Sequence, residues 1–261
     1  MSAHTFVAHT TDLCQALAAA APFANDKVPG FGTVRVFVDP TNIYVGATNG
    51  SAMGLALAST FGLDGITSDG EPFEPDLIEF DLLPAQARAI VSLFKAGADV
   101  EKQDGEEMGA ELRVEVTDHD VTVVDASGLL EGQSVTFPRP PTEDNAAAVL
   151  VSTHRKVEAG PAPDKKHPPR YYAAQLALLV KASKVYGEDL IFEHRARPDV
   201  DRSGSTLVRC GESFLGVLVD ASKTDEGLAV EDIWRAGWDS RLGPLARRAL
   251  ELTQNDNPKE K

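Results

Sequence analysis

The segment VRVFVDPTNIYVGATNG (34–50) lies without a gap on LRVEVTDHDVTVVDASG (112–128), 78 residues further on. Each copy alternates apolar with other residues, breaks at Asp39–Asn42 or at Asp118–Asp120, resumes, and closes on a Gly. Period-two alternation between turn residues is the pattern of antiparallel strands, and SAMGLALAST (51–60) supplies a third strand after the Asn49-Gly50 turn. A chain that repeats itself in this way folds as repeated units, which limits its architecture more than composition does.

What precedes each meander repeats too. HTFVAHTTDLCQALAAAAPFA (4–24) reads as a strand running into an Ala-rich helix that starts at Thr10, Thr11 or Asp12. LIEFDLLPAQARAIVSLFKAG (77–97) reads as a strand and a helix opened by Pro84 and closed at Gly97. A third, less complete copy follows: PPRYYAAQLALLVKASKVYG (168–187) as helix, DLIFEHRA (189–196) as strand, then STLVRC and SFLGVLVD as a hairpin. The expected fold class is α+β, built from β-α-β-β-β units. Residues 1–140 would form a first domain of two units and 141–222 a second, shorter one. Residues 223–261 would form a helical extension with a polar end.

Composition narrows the function. With 261 residues, 43% of them hydrophobic, the chain can bury one or two ordinary cores. It has no run of eighteen apolar residues, and MSAHTFVAHTTDL carries no charged leader, so a soluble cytoplasmic protein is expected. Cys14 and Cys210 form no CxxC, which fits a reducing compartment and no zinc framework. There is no Gly-rich phosphate loop after a strand and no nucleophile elbow, so neither an enzyme nor a cofactor is expected. DVDRSGS (199–205) opens like a calcium loop, with Asp199, Asp201 and Ser203, but its twelfth position is Cys210 where a bidentate Glu is needed. His154 and His167 lie in a Pro-rich stretch read as exposed loop, and Asp118-His119-Asp120 reads as a turn. The net charge of −15 argues against a nucleic-acid partner. That average hides an asymmetry: residues 1–140 hold 7 Lys and Arg against 21 Asp and Glu, while residues 141–261 hold 18 against 19.

IYVGATNGSAMGLAL, IEFDLLPAQARAIVSLF and EDLIFEHRA with STLVRCGESFLGVLVDA resemble the DNA sliding clamps, the family of the bacterial DNA polymerase III beta subunit and proliferating cell nuclear antigen. Asn49 stands where that family commonly has Asp, and VLVDA where the bacterial members end in Met-Pro. The resemblance implies antiparallel sheets outside and helices inside, and a processivity factor that encircles duplex DNA without reading sequence. It implies a DNA polymerase and a clamp loader as partners and a homo-oligomeric ring, a trimer on a count of twelve units, with tetramer or dimer as alternatives. The bases for DNA would be Arg88 and Lys95 on the second helix and Arg170, Lys181 and Lys184 on the third, while the first helix offers Gln15 and alanines. Clients would dock on Phe137, Pro138, Val149, Leu150, Val217, Leu218 and Val219. Two other readings stand beside it: a clamp-like adaptor, decoy or regulator that does not encircle DNA, and an unrelated α+β binding module. QLALL (175–179) resembles the short peptide by which clients dock on bacterial clamps, but its leucines are needed for the core. In the extension, Ile233, Trp234, Trp238, Leu242, Leu245 and Leu250 alternate with Arg241, Arg247 and Arg248 as an amphipathic helix would.

Overall fold

The structure, a computed structural model, describes residues 3–66, 72–73, 77–95, 110–128, 132–140, 150–161, 169–196, 204–220, 229–230, 232–238 and 240–242. Residues 1–221 form one compact unit and residues 222–261 another.

In the first unit, β1 (Ala3–His9) runs into α1 (Thr10–Ala20), followed by β2 (Val34–Val38), β3 (Asn42–Thr48) and β4 (Ala52–Ile66). The short β5 (Pro72–Phe73) precedes a second copy: β6 (Ile78–Leu82), α2 (Pro84–Phe94), β7 (Glu111–Thr117), β8 (Asp120–Asp125) and β9 (Ser134–Pro138). After α3 (Leu150–Glu158) come α4 (Ala173–Tyr186), β10 (Leu190–Ala196), β11 (Gly204–Cys210) and β12 (Phe214–Val219). The repeat is thus structural, and its turns are closed by equivalent atoms. Asp39 Oδ1 accepts from the N–H groups of Thr41 and Asn42 at 2.8 and 2.7 Å. Thr117 Oγ1, 78 positions on, accepts from His119 and Asp120 at 3.3 and 3.0 Å.

The two full copies exchange their first strands. β1 pairs antiparallel with β7 of the second meander, and β6 pairs with β2 of the first. The long β4 joins the halves: its far end pairs with β1 (Phe6↔Leu63) and its near end with β12 (Val217↔Met53). β10, β11 and β12 therefore extend the sheet of the first copy.

Alternation puts Val34, Val36, Val38, Ile78, Phe80, Leu112, Val114 and Val116 on the face covered by helices. The helices answer with Leu13 and Leu17 of α1, Ala87, Ile90 and Phe94 of α2, and Leu179 and Ala182 of α4. Each large side chain so buried stabilises the fold by roughly 1.5–3 kcal/mol. Phe6 and Phe80 bridge the two halves with ring centroids 6.2 Å apart. The opposite strand parity carries Met53, Leu207 and Val217, and these pack with Leu150 of α3 in a separate cluster on the other face.

Two expectations need correction. Part of the stretch read as exposed loop is α3, whose Leu150 is buried; three apolar residues in nine gave too thin a helical stripe to register. The helix expected over 168–187, with Leu176, Leu179 and Val180 turned inward, begins at Ala173, and its inward face is Gln175, Leu179 and Ala182, leaving Val180 45% exposed. AQLALLV is apolar nearly all round, so its pattern does not choose a phase. The phase is set by Gln175, whose Oε1 accepts from the Tyr172 N–H at 3.4 Å and whose Nε2 donates to the Ser51 carbonyl at 3.2 Å.

Candidate nucleic-acid interface

α1 packs between α2 and α4, and all three lie on the same face of the sheet. Gln86 does for α2 what Gln175 does for α4. Its Oε1 accepts from the Leu83 N–H at 2.7 Å, and its Nε2 donates to the Pro138 carbonyl at 2.9 Å. Each of these helices is thus capped and tied to a strand by the Gln at its third position. If the two glutamines are superposed, Ile90 falls on Leu179 and Lys95 on Lys184.

Lys95 and Lys184 therefore occupy equivalent places on the helices that flank α1. The fold brings them to the rim of one groove of about 370 Å³, floored by Cys14, Ala18, Val91 and Val185. The Cys14 thiol in that floor is pushed up to about 11 by burial, against the pull of Lys95, so it stays protonated and is no nucleophile near neutral pH. Arg88 and Lys181 are exposed on α2 and α4. Together these helices and the α2 cap carry four bases, Arg88, Lys95, Lys181 and Lys184, against one acid, Asp12. In a chain of net charge −15 this face is locally basic. Side chains of one sign set on a face of small residues attract phosphates without reading bases.

Arg170 does not join them. It precedes α4, is half-buried, and engages other groups of the fold, which corrects its expected place on a helical face.

Among the expected docking residues, Leu150 and Val217 meet in the outer cluster. Phe137 and Leu218 pack into the main core on the opposite face. Pro138 is exposed on β9, Val219 is half-buried at the end of β12, and Val149 lies outside the described residues. Sequence reading missed Gly46, Met53 and Leu207, which floor and wall the seat of Leu150. The available signal was AMGLALA and FLGVLV: strands apolar at consecutive positions are buried on both faces, so a second cover was required.

One polar chain has the look of catalytic machinery. Thr206 Oγ1 lies 2.9 Å from His194 Nδ1, His194 Nε2 lies 3.5 Å from Asp220 Oδ2, and the Tyr171 hydroxyl also reaches Thr206. Thr206 is fully buried, so its hydroxyl is closed to substrate and the chain is internal structure. Among the described residues no group of three His, Cys, Asp or Glu is placed to hold a metal ion, and no helix is long and apolar enough to cross a membrane. Residues 199–203 of the calcium-like stretch, and His167, lie outside the described residues. In the 222–261 unit, Ile233, Trp234, Trp238 and Leu242 are exposed on helical residues, and the Arg241 guanidinium lies 5.7 Å from the Trp238 ring centre.

No protein-family model matches the chain, and no curated protein matches its sequence. Solved structures do match in shape. The DNA polymerase sliding clamp of Pseudomonas aeruginosa superposes with a TM-score of 0.53 at 10% identity, over 84% of this chain and 66% of that one. A structure of the DNA polymerase III subunit beta from Pseudomonas aeruginosa gives 0.53 at 9% identity, over 84% and 66%. A putative DNA polymerase III beta subunit from Eubacterium rectale gives 0.54 at 8% identity, over 83% and 65%. The fold is that of the DNA sliding clamps, and the chain spans about two thirds of the length of these matches.

Proposed function

We propose that this chain is a cytoplasmic processivity factor of the sliding-clamp type, which oligomerises around duplex DNA and tethers a polymerase delivered with a clamp loader. The observation that carries this reading is the basic helical face on an otherwise acidic chain, in a fold shared with DNA polymerase clamps. On a chain of net charge −15, the face where Arg88, Lys95, Lys181 and Lys184 gather is a place where phosphate is attracted rather than repelled. The contact is electrostatic, sequence-independent and salt-sensitive, which suits a protein that slides. In a DNA-binding titration over salt concentration, Lys95→Ala and Lys184→Ala should each weaken binding equally on any sequence and reduce the salt slope by roughly one. An unchanged slope in both variants would remove the helical face from the interface.

A second reading, the non-encircling adaptor or decoy, is favoured by one observation. β2 and β7 are each capped by the other copy's first strand, whereas among the described residues nothing pairs with the outer edge of β10. Light scattering separates the two: a ring, whether dimer, trimer or tetramer, has two, three or four times the 27.9 kDa of one chain, whereas a lone 27.9 kDa monomer at micromolar concentration removes the ring.

A further inference from the structure

The sheet has its main core on one face, and on the other, among the described residues, α3 covers the apolar strip of Met53, Leu55, Leu207 and Val217. Leu150 is 2% exposed there. Its seat exists because β3 has a glycine beneath it: a Cβ at Gly46 would collide with Leu150 Cδ1. Val157, seven residues on and therefore on the same side of the helix, packs against the same cluster. Between these anchors lies His154, whose Nε2 is buried and makes no hydrogen bond. A buried ring nitrogen without a partner costs free energy for as long as the helix stays seated.

The groove is complete without α3. Its walls are strands held by their own ladders and by the main core on their other face. Arg209, at its edge, reaches Glu158 of α3 at 3.5 Å, but it is held by Glu193 of β10 at 2.6 Å and stays paired if α3 departs. Near the helix end, the Pro161 carbonyl accepts from the Ala196 N–H at 3.0 Å.

We propose that α3 is a displaceable latch on a peptide-docking groove. The groove's external ligand is a partner segment of α3's own kind: a short amphipathic helix with aliphatic anchors two turns apart and an acid that reaches Arg209. Two anchors at positions i and i+7 stand about 10 Å apart along a helix, which sets the spacing the partner must match. This rests on the partner-docking part of the proposed function and names its regulation: a client gains access only when the latch lifts. A site occupied by its own chain binds an outside ligand in proportion to the fraction that is open.

The test uses the full chain and a fluorescein-labelled peptide of residues 148–161, followed by anisotropy. Leu150→Asp, which unseats the chain's own latch, should bind the peptide at least about tenfold more tightly than the wild type. Adding Gly46→Ala, which fills the seat, should abolish that binding. Equal binding to wild type and Leu150→Asp, or binding that survives Gly46→Ala, overturns the latch. If Leu150→Asp fails to fold, hydrogen exchange on the wild type decides. Amides of α3 should exchange at least about a hundredfold faster than those of β11 and β12, and equal protection overturns the proposal. No DNA enters either measurement, so a failed latch leaves the DNA reading standing, and a failed DNA reading leaves the latch.

Discussion

Arg35 sits on strand parity that points away from the main core, yet it is 5% exposed. The register explains it: Arg35 lies directly across from Asp81, and two N–H···O bonds of 2.9 Å join them, with Glu79 3.3 Å away. A paired buried charge adds little net stability, but removing one partner leaves the other stranded. Asp81→Ala should therefore cost about 3 kcal/mol in urea denaturation, the low end of the range because Glu79 remains. The double change Arg35→Met with Asp81→Leu should recover most of it. A loss under about 1 kcal/mol for Asp81→Ala would mean that water already reaches the pair. Gly54 is a second sensitive position: a Cβ there would lie 2.7 Å from the Phe23 ring, which is fully buried against Phe214. Gly54→Ala should destabilise by about 1–3 kcal/mol through overpacking, visible as a lower melting temperature. Arg35 stood inside the repeated segment in plain view, but its partner was invisible, because cross-strand registers between copies are long-range facts that local pattern does not carry.

At the scale of elements, α1, α2 and the meanders were legible, because Ala87, Ile90 and Phe94 repeat at helical spacing and Val34, Val36 and Val38 at strand spacing. The strand exchange was not legible, since either first strand satisfies either meander's apolar pattern. α3 was missed because its stripe is only Leu150 and Val157, with His154 between. That histidine makes the seating of α3 sensitive to pH. Burial, with the nearby Arg209, holds its pKa below the ordinary value, against the opposite pull of Glu158. The docked helix is therefore fully favoured above the free imidazole's pKa of about 6.5, and that advantage is lost as pH falls below it. Exchange of α3 amides, corrected for intrinsic rates, should accelerate between about pH 7.5 and pH 5.5, while His154→Leu should flatten the profile. A slope that persists in His154→Leu would place the titrating group elsewhere. For the candidate interface, the sequence supplied Arg88, Lys95, Lys181 and Lys184, but only the packing of α1 between α2 and α4 puts Lys95 and Lys184 on one groove.

For the whole molecule, β12 pairing with β4 joins the described strands between residues 3 and 220 into one sheet system, with α1, α2 and α4 on one face and α3 on the other. The 222–261 unit adds a helical segment with two exposed tryptophans. A face that holds phosphates weakly and without sequence preference gives lasting attachment only if the protein closes around the duplex. On the ring reading proposed above, topology rather than affinity retains it. The direct measurement is retention on nicked circular DNA against the same DNA linearised, after loading by a clamp loader whose activity is confirmed, at a salt concentration that screens simple electrostatic binding. The ring account predicts that the protein stays on the circle and runs off the open ends. Equal retention on both forms, or none on either, would contradict it.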